Sequence, residues 1–197
     1  MKKQIEICEL WKQLIDKGNK PKKLKSYEII DAHGIKVLSK DGKYININWL
    51  SRHKTNKHML KVNVKAKDIG KYVIVTTDHI CMVYNRNHFF ENANAKSLKI
   101  GNLVSIWNEE ANEELVGEIV SIEDLGLTEE YVYDLEVDDK SHAFYANDIL
   151  IHNSQFVNLQ VVTDWLRTQN NWPELLQDWS AEQKKALWDT DMSRSRT

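Results

Sequence analysis

The sequence places three side chains that can take part in breaking a peptide bond side by side, at His152, Asn153 and Ser154. The side-chain amide nitrogen of Asn153 can attack its own backbone carbonyl, which forms a succinimide and breaks the bond to Ser154. An amide nitrogen is a poor nucleophile and an amine is a poor leaving group, so this reaction needs a proton acceptor and a proton donor nearby. The hydroxyl of Ser154 can also accept an acyl group before the bond breaks.

Two histidines are available for these proton transfers. His152 is adjacent to Asn153, and His142 precedes it on the other side of an Asn147-Asp148 turn signal. A β-hairpin built around this turn brings its two strands together, so we expect the two histidines to lie close to each other. Taken one at a time, these residues also fit ordinary structural roles, such as a hydrogen-bonded sheet histidine or a surface turn.

The elements that must position these residues fall into three zones. Residues 1–25 have apolar positions at helical spacing that stop at Gly18-Asn19, which predicts a short amphipathic helix followed by a basic linker. Residues 26–153 alternate polar with β-branched and aromatic residues between turn signals, which predicts an all-β domain with mainly antiparallel pairing. Residues 154–197 return to helical spacing. The Asn153-Ser154 pair therefore lies at the boundary between strand-rich and helix-rich sequence.

Composition narrows the class of protein. The chain has 197 residues, enough for one self-sufficient core, and its formal net charge of −2 argues against binding nucleic acid through phosphate contacts. Cys8 and Cys81 have no C-x-x-C spacing, so we expect no disulfide framework, no metal and no cofactor. The sequence contains no signal-peptide core and no apolar run of membrane length, so we expect a cytoplasmic protein without a membrane partner.

The stretch "VYDLEVDDKSHAFYANDILIHNS", residues 132–154, resembles the C-terminal splicing motifs of inteins. The matching positions are Asp134 in "YDLEV", His142 in "SHAFYAN", and the final His-Asn followed by a nucleophile, Ser154. We therefore identify the C-terminal part of the strand-rich zone as similar to the part of an intein that releases the downstream host segment.

A second match lies upstream, in the order that the resemblance requires. The stretch "VIVTTDHICMV", residues 73–83, resembles the T-x-x-H motif of the intein N-terminal splicing region, with Thr76 and His79 at the matching places. Ordinary turn chemistry explains each motif alone but does not predict both in this order. The resemblance covers about residues 26–153 and implies a HINT-type (Hedgehog/intein) curved antiparallel β fold, without an inserted endonuclease domain.

The resemblance implies a role for each matching residue in the upstream half of the reaction. His79 would hydrogen-bond the amide at the upstream junction and, with Thr76, polarise it for an acyl shift. Asp134 would help to activate the first nucleophile and would relay protons between the steps.

The same resemblance implies the roles downstream. Ser154 would accept the upstream host segment as a branched ester, and Asn153 would then cyclise and release the intein. His142 would act as the acid/base partner of Asn153, while His152 would polarise the scissile carbonyl. An O-to-N shift would restore the peptide bond, so the chain would act once on itself rather than as a multiple-turnover enzyme.

One departure from the family pattern shapes the prediction. An intein opens with Cys or Ser on a strand, whereas the sequence after Cys8, "CELWKQLIDKG", has helical spacing. We therefore predict the long C-terminal part of a split intein, whose partner is a short N-terminal fragment with the first Cys or Ser and the upstream host segment. Residues 154–197 would be a downstream host (extein) segment. The resemblance further implies a phage or bacterial host protein.

Three alternatives remain open from the sequence. A related self-cleaving HINT domain would cut after Asn153 and release the tail without ligation. A cis-acting intein would use Cys8 as its first nucleophile. A β-rich binding module fused to a helical interaction segment would carry out no chemistry.

Overall fold

A computed structural model of the chain describes residues 4–24 and 27–152. Helix α1 spans Ile7–Asp16. The strands of the described part, in chain order, are β1 (Lys22–Lys23), β2 (Glu28–Asp31), β3 (Lys36–Leu38), β4 (Tyr44–Lys54), β5 (His58–Ala66), β6 (Ile69–Thr76), β7 (Ile80–Tyr84), β8 (Phe90–Asn94), β9 (Leu103–Asn108), β10 (Glu113–Leu127), β11 (Tyr131–Val137), β12 (Ala143–Ala146) and β13 (Ile149–His152). The predicted helical segment in 154–197 lies outside the described residues.

Helix α1 forms where the sequence predicts it. Trp11 and Leu14 are buried on one helical face, as the apolar spacing requires. The helix ends before Gly18, whose φ of +93° is a left-handed conformation that glycine adopts without steric cost, and the Gly18 amide donates to the Ile15 carbonyl at 2.8 Å. In the described part of the chain no helix combines the length and apolarity needed to span a membrane.

The strands form two antiparallel sheets. The first has the order β1-β2-β4-β11, with β3 paired to β4 beside this path. The second has the order β12-β13-β7-β9-β10-β5-β6, with β8 paired to β7 and β13 also touching β9. Every named pair among the described strands is antiparallel. The predicted all-β, antiparallel class is confirmed.

Both sheets and α1 contribute to one hydrophobic core. Trp11 of α1, Leu50 of β4, Ile106 of β9 and Ile119 of β10 are all fully buried in it. The strands approach each other closely at Gly117, where an added Cβ would lie 2.6 Å from Cδ1 of Ile106. Only glycine fits this position without displacing a core side chain.

A smaller cluster of buried hydrophobic residues packs against the β12–β13 hairpin. It contains Leu38, Met82, Trp107, Ala143, Tyr145 and Leu150. The hydroxyls of Ser105 and Tyr145 are hydrogen-bonded at 2.7 Å inside it, so these two buried polar groups satisfy each other. This packing fixes the hairpin that carries the histidines discussed below.

Candidate active site

The downstream half of the candidate site stands at the open end of the β12–β13 hairpin. The two strands are joined by Asn147 and Asp148, which both have positive φ, +47° and +64°, as a tight type I′ turn requires. The register pairs Ala143 with His152, so His142 lies just beyond the last described pair. The ring centroids of His142 and His152 are 6.3 Å apart. The predicted proximity of the two histidines is confirmed.

His142 is held next to an acidic side chain. Its Nδ1 lies 3.5 Å from Oε1 of Glu136, which comes from β11. Hydrogen bonding to Glu136 raises the pKa of His142, and the charges of Glu136 and Asp139 raise it further, while partial burial opposes them. His142 therefore holds a proton more readily than an ordinary imidazole does, and more readily than His79. Sequence reasoning missed Glu136, although it belongs to the "YDLEV" stretch.

The upstream half lies at the turn between β6 and β7. Thr76 ends β6, and its carbonyl accepts a hydrogen bond from the His79 amide at 3.0 Å. The His79 carbonyl in turn accepts from the Ala95 amide at 2.8 Å, so the backbone of His79 is fixed on both sides. Burial lowers the pKa of His79 to about 4, with Asp78 opposing this effect and His152 adding to it. His79 is therefore neutral at physiological pH.

An ion pair anchors the loop that carries His79. Asp78 contacts the Lys57 ammonium, which comes from the turn between β4 and β5. Burial disfavours the Asp78 carboxylate, but hydrogen bonds from Lys57 and Thr76 outweigh it and lower the pKa of Asp78. The negative charge next to His79 thus persists at neutral pH.

Strand β13 brings the two halves together. Its residue Ile151 pairs with Cys81, two residues after His79, and also with Phe144, two residues after His142. His152 is one residue further along, and its electrostatic effect on the pKa of His79 reflects this proximity. The fold therefore gathers the upstream and downstream motifs around the end of β13.

Comparison with solved structures gives the fold a name. The PabCDC21-1 intein matches with a TM-score of 0.66 and 22% identity, over 78% of this chain and 91% of that one. The TvoVMA intein matches with 0.64 and 25%, over 77% and 90%. A KlbA intein precursor from Methanococcus jannaschii matches with 0.63 and 21%, over 78% and 86%. This is the intein fold. No protein-family model and no curated protein matches the sequence.

Within this intein fold, Asp134 lies on the other sheet. It is on β11, where its register partner is Ser51 of β4, and its Oδ1 accepts a hydrogen bond from the Leu135 amide at 2.8 Å. Alternate residues of a strand share a face, so Asp134 is on the same face as Glu136, the residue that reaches His142. Its role in the reaction stays a prediction.

The terminal residues of the motif, Asn153 and Ser154, lie outside the described residues. His152 is the last described residue of the chain, and its side chain is buried, with 6% of its surface exposed. The peptide bond between His152 and Asn153 therefore leads directly from the histidine cluster to the predicted scissile junction.

The two cysteines differ in their surroundings. Cys8 is in the first turn of α1, and its thiol donates a hydrogen bond to Glu6, with 3.6 Å between Sγ and Oε2. Cys81 is buried in β7, where burial raises the pKa of its thiol to about 12. Cys81 is thus in the surroundings of an inert buried thiol, and Cys8 lies on a helix rather than on a strand.

The four remaining histidines, which fit no motif in the sequence, lie in structural surroundings. The rings of His53 and Tyr27 are in contact at a tilt of 55°, with centroids 4.5 Å apart, and burial lowers the pKa of His53. His58 is 2.9 Å from Asp124, His33 pairs with Asp31, and His88 has a φ of +59° in the turn between β7 and β8.

Proposed function

We propose that this chain is the long C-terminal part of a split intein, and that it joins two host segments by protein trans-splicing with a separate N-terminal fragment. The observation that carries the proposal is the gathering of His79, His142 and His152 at the end of β13 in an intein fold. The sequence continues from this cluster directly into Asn153-Ser154.

In the first step, the thiol or hydroxyl at the start of the N-terminal fragment attacks the carbonyl that precedes it. The C–N bond breaks, a thioester or ester forms, and the freed amine takes up a proton. His79 is neutral because of its lowered pKa, so we assign it to hydrogen bonding at this junction rather than to carrying a charge. The hydrogen bond from the His79 amide to the Thr76 carbonyl fixes the backbone that carries this imidazole.

In the second step, the Ser154 hydroxyl attacks the new thioester or ester, takes the upstream segment as a branched ester, and gives its proton to the first thiol or hydroxyl as that group leaves. The third step is cyclisation. The Asn153 amide nitrogen then attacks its own carbonyl, and the bond to Ser154 breaks as the leaving amine takes a proton. His142, whose pKa is raised by Glu136, is the donor that we assign to this amine. His152 polarises the carbonyl, and an O-to-N shift completes the ligation.

The assignment of the first nucleophile to another polypeptide rests on the two cysteines. Cys8 is in a helix beside a carboxylate, and Cys81 is a buried thiol with a pKa raised to about 12. An activated cysteine lies in electropositive, partly exposed surroundings, whereas Cys81 is buried and the thiol of Cys8 faces a carboxylate. In this proposal residues 154–197 are the downstream host segment.

The test is mass spectrometry of the purified chain, alone and with N-terminal segments of the inteins named above. In each segment a fluorescent upstream peptide precedes the first Cys or Ser. The segments are supplied both as separate peptides and fused to the N-terminus of this chain. Splicing gives the upstream peptide joined to residues 154–197, together with a fragment ending in an aminosuccinimide, one water lighter than the free acid. Release of the tail without ligation would indicate a self-cleaving domain, and an unchanged mass in every mixture and fusion would contradict the proposal.

A further inference from the structure

The turn of the β12–β13 hairpin, opposite its histidine end, contains a largely buried ion pair. Asp148 is only 8% exposed, and its Oδ2 lies 2.6 Å from Nζ of Lys71 on β6. Gln4 donates from Nε2 to the same oxygen at 3.3 Å. Removing Lys71 would leave the Asp148 carboxylate, whose side chain is only 10% exposed, without its charged partner, and such a buried unpaired charge is costly.

The neighbouring residue makes a second contact with the same strand. The side-chain amide of Asn147 donates from Nδ2 to the Tyr72 carbonyl at 2.7 Å. Two consecutive turn residues, Asn147 and Asp148, are thus held by two consecutive residues of β6, Lys71 and Tyr72. The Asp148 carbonyl also accepts from the Trp107 amide at 2.8 Å, which fixes the turn backbone over β9.

The contact joins strands that the backbone ladder keeps apart. β12–β13 and β6 stand at opposite ends of the described strand order of the larger sheet. β6 leads from Lys71 to Thr76 and on to His79, while the hairpin leads from Asp148 to His152. The same two segments therefore carry the contact at one end and the two halves of the candidate site at the other.

We propose that the four residues Lys71, Tyr72, Asn147 and Asp148 form a latch that holds the upstream and downstream halves of the splicing site in register. Lys71 and Asp148 are positioning residues, since they act through the strands and do not touch the junction. The proposal rests on the proposed function. A displacement of about 1 Å between reacting groups can cost about a hundredfold in rate, so a loosened latch should slow splicing even in a folded protein.

The test uses Asp148→Asn, Lys71→Gln and the double variant in the full chain. Asparagine tolerates the positive φ of position 148, so Asp148→Asn removes the charge and keeps the turn. Glu123→Gln is the matched control, because Glu123 and Lys61, 4.0 Å apart, join β5 and β10, which are already paired by their backbones.

Two measurements separate the latch from the proposed function. The imidazole NMR signals of His79, His142 and His152 report the register of the two halves without any splicing. Each latch variant should shift these signals and slow tail release about tenfold to a hundredfold, and Glu123→Gln should do neither. The double variant should be no slower than the slower single variant, because both substitutions break one contact.

The proposal is overturned if the latch variants, folded by circular dichroism, leave the histidine signals unchanged, or if the two single effects on the rate multiply in the double variant. If Asp148→Asn does not fold, Lys71→Gln carries both measurements alone. A chain that never releases its tail refutes the proposed function, while shifted histidine signals in the same chain still support the latch.

Discussion

Replacing Glu136 with glutamine removes the carboxylate that faces His142 and keeps the side-chain shape. The Oε1 atom of Glu136 lies 3.5 Å from Nδ1 of His142, and hydrogen bonding to it is the largest cause of the raised pKa of His142. We expect the pKa of His142 in the Glu136→Gln variant to fall toward its ordinary value. Asp138→Asn is the control, since Asp138 is exposed and is not among the groups that raise this pKa.

The contribution of the Glu136–His142 pair to stability follows from the distance between the two charges and from their exposure to solvent. Two unit charges 3.5 Å apart interact by about 1 kcal/mol in bulk water and by roughly 5 kcal/mol at an effective dielectric constant of about 20. The His142 side chain is 43% exposed and that of Glu136 is 20% exposed, so solvent screens the pair substantially. We therefore expect the pair to contribute about 1 kcal/mol to the free energy of unfolding.

The contribution of this pair to stability decreases as pH rises. The folded-state pKa of His142 lies above its unfolded value, so the stabilisation is fully present below the unfolded pKa of about 6.5 and disappears as pH rises through the folded pKa. Urea denaturation should show Glu136→Gln less stable than the wild type by about 1 kcal/mol near pH 5.5 and equally stable near pH 9. NMR titration of His142 gives the pKa directly. An unchanged titration midpoint, or a stability difference that persists near pH 9, would refute this account of the site.

Three further substitutions give expected outcomes. Cys8→Ala should leave ligation with a supplied N-terminal fragment unchanged in the mass-spectrometric assay, whereas lost ligation would make Cys8 the first nucleophile of a cis element. Ser154→Ala should block transfer of the upstream segment but still permit slow tail release, because cyclisation needs no hydroxyl; continued ligation would contradict the role of Ser154. Gly117→Ala should lower the free energy of unfolding by about 1–3 kcal/mol in urea denaturation, because its Cβ would lie 2.6 Å from the Ile106 side chain, and no loss of stability would contradict this packing.

Much of the fold could be predicted from the sequence because apolar and polar residues alternate along most strands. In β5, for example, Leu60, Val62 and Val64 are buried at every second position. Strand β8 escaped prediction because "FENAN" has few β-forming residues, and it exists because it pairs with all of β7. The two residues of β1, within the basic linker, likewise form a strand through pairing with β2.

The candidate site was predictable only where local geometry decides it. The Asn147-Asp148 turn brings His142 near His152 by hairpin geometry alone, so their proximity could be inferred from the sequence. The contact of Glu136 with His142 spans the short irregular connection between β11 and β12, in which His142 itself has a φ of +48°. No turn signal in the sequence sets the direction of the side chains in this connection, so the contact could not be predicted.

The pair Lys71 and Asp148 was unpredictable because its two residues are far apart in the sequence. Their ammonium and carboxylate groups meet because β6 and the hairpin turn converge in the folded chain. The sequence shows only a lysine on an alternating strand and an aspartate in a turn, which are both common at surfaces. Tertiary structure makes this pair largely buried.

The most direct test of the central claim is the rate of tail release from the Asn153→Ala variant. Time-resolved mass spectrometry follows the appearance of residues 154–197 in the wild type and in this variant, with the N-terminal fragment present, while circular dichroism confirms that both are folded. Because only the Asn153 side chain is assigned to cyclise onto the bond before Ser154, we predict release from the wild type, with a succinimide end, and none from the variant. Release of the tail from Asn153→Ala at the wild-type rate would contradict it.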